Sequence, residues 1–181
     1  MNRRILSCLA SVLALALLAG CGSAPSAAPT AEENAAGLPN PVKASSPEEI
    51  AQRFDVEMKA PDGAEELSWV IIEGDMPLAQ LGYSLDGIVY NYRIAKAEAY
   101  TDISGMYYEW SAKNIMSLTN WKQIKGTYYR WFDKSSSEGY ADLCTWYDAE
   151  TGISYSLSVT ADDLDGFDLQ AIVEYLYAPE K

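Results

Sequence analysis

The sequence predicts an α+β domain: an antiparallel β-meander of about six to eight strands, with a short N-terminal helix and a C-terminal helix packed on one sheet face. Three observations carry this expectation. Asp86-Gly87 separates two alternating runs, the mark of a two-residue hairpin with a primed turn. Ile153, Tyr155, Leu157 and Val159 alternate with Ser154, Ser156, Ser158 and Thr160, a strand with one apolar and one hydroxyl-bearing face. Leu169, Ile172, Val173, Leu176 and Tyr177 recur at helical spacing, the stripe of a helix lying on a sheet.

Taken in order, the domain opens at Ser46-Pro47-Glu48-Glu49. Ser46 suits an N-cap, Pro47 the first helical position, and Glu49 completes a Ser-x-x-Glu capping box. Ile50 and Phe54 are four apart and face the core, and the helix ends near Phe54. Val56 and Met58 begin an extended segment, Pro61-Asp62-Gly63 is a turn, and residues 67–73 read as a strand. The Asp86-Gly87 turn pairs Leu85 with Ile88, Tyr83 with Tyr90, Leu81 with Tyr92 and Ala79 with Ile94, all on one face. Ser84–Val89, Gly82–Asn91 and Gln80–Arg93 fall on the other, mostly polar face. Residues 97–106 read as a loop. Further strands are expected at 107–113, 115–122, 126–133, 139–147 and 152–160, with turns at Ser135–Gly139 and Asp148–Gly152. The final helix spans about residues 168–177 and stops before Pro179.

The N-terminus carries a different message. Arg3 and Arg4 precede an uncharged, mostly apolar stretch from Ile5 to Leu18. A bilayer-spanning helix needs roughly 20 apolar residues, so this run is short, with the flanks of a secretory signal. It ends in Leu18-Ala19-Gly20-Cys21, which resembles the lipobox of bacterial lipoproteins at all four positions. The resemblance implies transfer of diacylglycerol to the Cys21 thiol, cleavage before Cys21, and attachment to the extracytoplasmic face of the cell membrane. Two acyl chains suffice for stable anchoring. Residues 21–44 are rich in Ala, Ser and Pro and read as a flexible tether. The expected organisation is therefore signal peptide 1–20, lipidated tether 21–44, and one globular domain 45–181.

Charge and cysteine usage narrow the function. Loss of residues 1–20 removes Arg3 and Arg4 from the 13 bases and none of the 26 acids, leaving a net charge of −15. That excess disfavours nucleic acid and anionic headgroups as partners. Cys8 leaves with the signal and Cys21 is lipidated, so Cys144 stands alone, a buried and inert thiol on a strand. The chain contains no histidine, which removes the usual general base and commonest transition-metal ligand. There is no P-loop, nucleophile elbow or dinucleotide fingerprint, and no cofactor is expected.

Two constellations remain. Asp162, Asp163, Asp165 and Asp168 surround Gly166 in the manner of a cation loop, but the alignment to an EF-hand places Ala161 at the first position and Ile172 at the last. The other reading is acidic capping of the last helix. Aromatic residues gather after residue 100, and several strands carry rings on both faces, Tyr128 and Phe132 against Tyr129 and Trp131. Since helices cover one face only, Tyr108, Trp110, Tyr129, Trp131 and Trp146 are candidate ligand-facing rings.

Residues 101–110, 143–148 and 155–168 (Thr-Asp-Ile-Ser-Gly-Met-Tyr-Tyr-Glu-Trp, Leu-Cys-Thr-Trp-Tyr-Asp and Tyr-Ser-Leu-Ser-Val-Thr-Ala-Asp-Asp-Leu-Asp-Gly-Phe-Asp) resemble an uncharacterised lipoprotein family of Gram-positive gut bacteria, over about residues 40–178. The resemblance implies a cell-surface lipoprotein and brings no catalytic residues. The expected function is a non-enzymatic binding domain for a glycan, a peptide or a partner envelope protein. A calcium-stabilised surface module on the 162–168 acids and a histidine-free Asp/Glu hydrolase are the alternatives.

Overall fold

The Asp86-Gly87 hairpin lies in the middle of one antiparallel sheet. The structure, a computed structural model, describes residues 40–118, 124–132 and 139–177. The lipobox with Cys21, the tether as far as residue 39, Trp121, the 135–138 part of the expected turn and Pro179 lie outside the described residues.

Ten elements follow one another: β1 (Val42–Ala44), α1 (Pro47–Phe54), β2 (Glu65–Ile72), β3 (Leu78–Leu85), β4 (Ile88–Lys96), β5 (Ala112–Leu118), β6 (Ile124–Phe132), β7 (Tyr140–Asp148), β8 (Ile153–Ala161) and α2 (Leu169–Leu176). The eight strands form one mostly β architecture with two helices, in the order β1-β2-β3-β4-β8-β7-β6-β5. Two meanders are thus joined where β8 pairs with β4. This departs from the single meander expected from the sequence. Backbone pairing alone does not require neighbours in the chain to be neighbours in the sheet.

The hairpin register agrees with the sequence reading at every pair, from Leu85↔Ile88 to Ala79↔Ile94. Asp86 (φ 52°) and Gly87 (φ 78°) both adopt the left-handed backbone that a primed turn requires. The apolar face continues through Tyr155, Leu157 and Val159 of β8 and Cys144 and Trp146 of β7 to Met116 and Leu118 of β5. Ile50 and Phe54 of α1, and Leu169, Val173 and Tyr177 from α2 and its end, complete the same hydrophobic cluster. The rings there are packed against one another: Tyr83 stacks on Tyr90 at 4.8 Å, and Trp146 on Tyr155 at 5.2 Å. The Tyr83 and Tyr177 hydroxyls are hydrogen-bonded to each other, which satisfies both inside the core.

α1 is capped by Ser46, whose hydroxyl accepts from the Glu49 N–H at 3.2 Å. α2 is capped by Asp168, whose carboxylate accepts from the Ala171 N–H at 3.0 Å. At the upper end of the helical face, Arg130 of β6 donates to both oxygens of the fully buried Asp142 at 2.7 Å. Tyr128 donates to the same carboxylate at 3.0 Å, and Arg130 also reaches the Phe167 carbonyl at 3.1 Å. This network joins β6 and β7 to the loop before α2.

Two boundaries are corrected. Val42–Ala44 pairs with Val70–Ile72, so sheet structure begins inside the segment read as tether. A strand edge recruits backbone N–H and C=O groups and needs no apolar side chains, which is why composition missed it. Residues 107–111 are not strand. Among the described residues one strand, β5, stands where two were expected at 107–113 and 115–122, and residues 119–122 of the second lie outside the described residues. Tyr107-Tyr108-Glu109-Trp110 has the alternation of a strand, but it belongs to the connection from β4 to β5.

That connection decides the second face. β4 and β5 are four strand spacings apart, about 19 Å across the sheet. Residues 97–111 must therefore cross β8, β7 and β6, and the helices occupy the other side. The crossing strap is tied to the strands beneath it. The Tyr147 hydroxyl donates to the Ala97 carbonyl at 3.1 Å, and the Thr101 N–H to the Ser154 hydroxyl at 3.1 Å. The Tyr100 and Thr145 hydroxyls are hydrogen-bonded at 2.9 Å. Arg93 lies below the strap, donating to Gln80 at 2.7 Å and to the Ile103 and Ser104 carbonyls. Burial lowers the pKa of its guanidinium, and the nearby Tyr107 and Asp102 oppose that shift. Gly105 has φ 67°, which favours glycine, and a Cβ there would lie 2.6 Å from the Arg93 head, which would have to move. Ser154, Ser156, Ser158 and Thr145 are consequently buried. The hydroxyl face seen in the sequence is the seat of the strap.

Candidate functional site

The strap brings four of the five candidate rings together. Tyr108 stacks on Trp131 with centroids 4.8 Å apart, and Trp110 meets Tyr108 edge-on at 5.4 Å. Trp110 in turn lies 5.2 Å from Tyr129, and the Lys113 ammonium stands 5.2 Å over the Tyr129 ring. The result is a row of rings, Tyr129–Trp110–Tyr108–Trp131, whose two ends both belong to β6. Tyr129 and Trp131 belong to β6 and project to the strap side because they are odd-numbered. Their cross-strand partners Leu143 and Ala141 share that face.

Trp146 is the exception, and its assignment as a ligand-facing ring is corrected. It is 0 % exposed and sits in the core against Tyr155 and Tyr92. The physical reason is register. Trp146 pairs with Gly126, which has the parity of the helical face. Gly126 also keeps this spot clear, since a Cβ there would stand 3.1 Å from Trp146 Cβ, 2.5 Å from Met116 Cε and 2.7 Å from the Thr145 carbonyl oxygen.

Next to the ring row is an open depression of about 310 Å³. It lies where β7 begins and β8 finishes. Tyr108 and Trp131 line it together with Tyr140, Thr160 and Asp162. Tyr108 is 37 % exposed there. Gly139 lies alongside, a would-be Cβ standing 4.0 Å from the Trp131 ring. The carboxylate of Asp162 is the one charged group among the described lining residues. The depression is thus lined by two stacked rings together with a threonine hydroxyl and an anionic acceptor.

Sequence reasoning missed Tyr140 and Thr160, and it grouped Asp162 with a different set. Cross-strand register carries the missing signal. Trp131 pairs with Ala141, and Ala141 with Thr160, so the three lie in one line across the sheet. That line becomes visible only once β8 is known to pair with β7.

The acids 162–168 do not converge. Asp163 accepts from the Asp165 N–H at 2.8 Å, forming a local turn, and Asp168 caps α2. Among the described residues no three carboxylates or thiols are grouped to hold a metal ion. The two buried carboxylates of β7, Asp142 and Asp148, are six residues apart on one strand, about 20 Å. That exceeds the spacing at which two carboxylates act on one glycosidic bond. Cys144 is buried, and burial pushes its thiol pKa well up, as do the neighbouring Asp142 and Asp168 charges. No helix among the described residues is long and apolar enough to cross a membrane.

No protein-family model, curated protein or solved structure matches the chain.

Proposed function

We propose that this chain is a lipid-anchored, non-enzymatic binding protein that displays its domain on the extracytoplasmic face of a cell membrane. Its ligand site is the depression beside the Tyr108–Trp131 ring pair. The observation that carries the reading is the placement of those rings. The strap sets Tyr108 against Trp131 with part of its surface open to solvent, beside an open depression that Thr160 and Asp162 also line. Core packing accounts for the rings of the helical face and for Trp146. It does not account for an aromatic wall facing an open depression.

The anchoring half of the proposal rests on the lipobox-like Leu18-Ala19-Gly20-Cys21 and the basic and apolar segment before it. A diacyl anchor holds the protein at the membrane without help from the acidic domain surface. The resemblance of residues 101–110, 143–148 and 155–168 to surface lipoproteins points the same way.

Two experiments test the halves separately. The N-terminal peptide from the membrane fraction should begin at Cys21 with the mass of a diacylglyceryl modification; an unmodified Cys21, or cleavage elsewhere, refutes the anchor. The full chain in mild detergent should be retained on isolated bacterial envelope material, and the Tyr108→Ala/Trp131→Ala variant should not. Equal retention of both proteins, or none of either, refutes the site.

A further inference from the structure

We propose that the depression beside Tyr108 and Trp131 takes a saccharide unit that carries no acid group; this rests on the binding reading above and names its ligand class. Three features of the site select that chemistry.

The first is the wall. A pyranose ring presents a face of C–H bonds that lies flat on an aromatic surface, and it buries apolar area without needing a deep pocket. Tyr108, 37 % exposed and backed on one face by Trp131, is the ring on which a sugar would stack, at the side of a shallow concavity rather than inside an enclosed cavity. About 310 Å³ is at the lower end of small-ligand sites, which suits a sugar unit better than a folded segment.

The second is the polar side. Sugar hydroxyls are donors that need acceptors in fixed directions. The Asp162 carboxylate accepts only, and the Thr160 hydroxyl both donates and accepts. No cation is among the described lining residues, and the chain as a whole is strongly acidic. An anionic sugar would face repulsion from Asp162, with no compensating base among the described lining residues.

The third is the surrounding backbone. An extended peptide binds a sheet most readily by joining an unpaired strand edge. Here β7 lies between β6 and β8, and β8 between β7 and β4, so both strands at the site are paired on both sides. The site offers side chains and no free ladder, which disfavours a peptide.

The test is a titration of the full chain, in a detergent without a sugar headgroup, followed by tryptophan fluorescence. The probes are cellopentaose and chitopentaose as neutral oligosaccharides and an oligogalacturonate as the acidic one. Saturable binding of a neutral probe is expected. The Trp131→Ala variant should weaken it roughly tenfold, as loss of a central aromatic contact does. The Asp162→Asn variant changes an exposed residue and should fold normally. It should weaken neutral-probe binding by about threefold, through one less favourable hydrogen bond. The acidic probe should bind the wild type at least roughly tenfold more weakly than the neutral ones.

Absence of binding by both neutral probes overturns the proposal, as does equal binding of the acidic probe or unchanged affinity in both variants. If the proposal falls while envelope retention still depends on Tyr108 and Trp131, the site holds another ligand class and the binding reading survives. If both fail, the binding reading falls with it.

Discussion

Replacing Asp142 by alanine is expected to cost the domain about 3–4 kcal/mol, in the range found when one partner of a buried ion pair is removed. Asp142 is 0 % exposed, and its carboxylate accepts two hydrogen bonds from Arg130 at 2.7 Å and one from Tyr128 at 3.0 Å. Charge-assisted bonds contribute about 1.5–3 kcal/mol each, so the pair from Arg130 sets a gross loss of about 3–6 kcal/mol. The Arg130 side chain is 23 % exposed and keeps the Phe167 carbonyl, so water and that oxygen recover part of the loss. The carboxylate also acts on its partners. It raises the pKa of Arg130, chiefly through the hydrogen bonds. Tyr128 is raised mainly by burial and secondarily by the Asp142 charge.

Equilibrium urea unfolding is the assay. With a slope of about 2 kcal/mol per molar, the midpoint should fall by about 1.5–2 M. Replacing both partners together, Arg130→Met with Asp142→Leu, should recover more than half of that shift, because no charge is then left buried alone. A midpoint for Asp142→Ala within 0.5 M of the wild type, on the order of 1 kcal/mol at that slope, would refute the reasoning.

Other predictions address the remaining parts. Glu73 accepts from Arg53 at 2.9 and 2.7 Å and from Lys43 at 3.1 Å, and those hydrogen bonds lower its pKa from 4.5 to about 2. Because the folded value is depressed, its contribution is complete above pH 4.5 and is lost as the pH falls toward 2. The Glu73→Gln variant should therefore lose stability less steeply than wild type across that window. Parallel acid-unfolding curves would contradict this. Gly126→Ala should cost about 1–3 kcal/mol or more. The Met116 methyl can swing away from the new Cβ, but the Thr145 carbonyl at 2.7 Å is backbone. An unchanged melting temperature would show that Trp146 is less tightly held than its burial indicates. Cys144 should react with a thiol reagent only on unfolding, and labelling localised to Cys144 in the native protein at the rate of a free thiol would exclude its buried placement.

Local pattern was enough for part of the fold. The hairpin at Asp86-Gly87 was legible because a two-residue primed turn fixes register, and register fixes which side chains share a face. The α2 stripe was legible for the same kind of reason, since its five apolar positions lie within one helical arc and all reach the core. In the last strand the alternation marked two distinct faces, but not what each would meet. Its serines form the hydroxyl-bearing face and are buried.

The candidate site was legible ring by ring, not as an arrangement. Tyr108, Trp110, Tyr129 and Trp131 were picked out by composition and alternation, and so was Trp146. Nothing local separates Trp146 from Trp131, because the parity of one strand has no meaning until its neighbour is known. Pairing with Gly126 sends Trp146 into the core, and pairing with Ala141 leaves Trp131 at the edge of the depression.

The amino-acid sequence by itself determined the strand-rich class, the central register, the capped last helix and the chemical inventory: no histidine, three cysteines, excess acid and many rings. Each of these is set by neighbours in the chain or by composition. Only the tertiary structure decided that β8 joins β4, that residues 97–111 therefore cross the second face, and that Tyr108 comes to rest on Trp131. Those contacts join residues far apart in the chain. They follow from the pairing of β8 with β4, which joins the two meanders into one sheet.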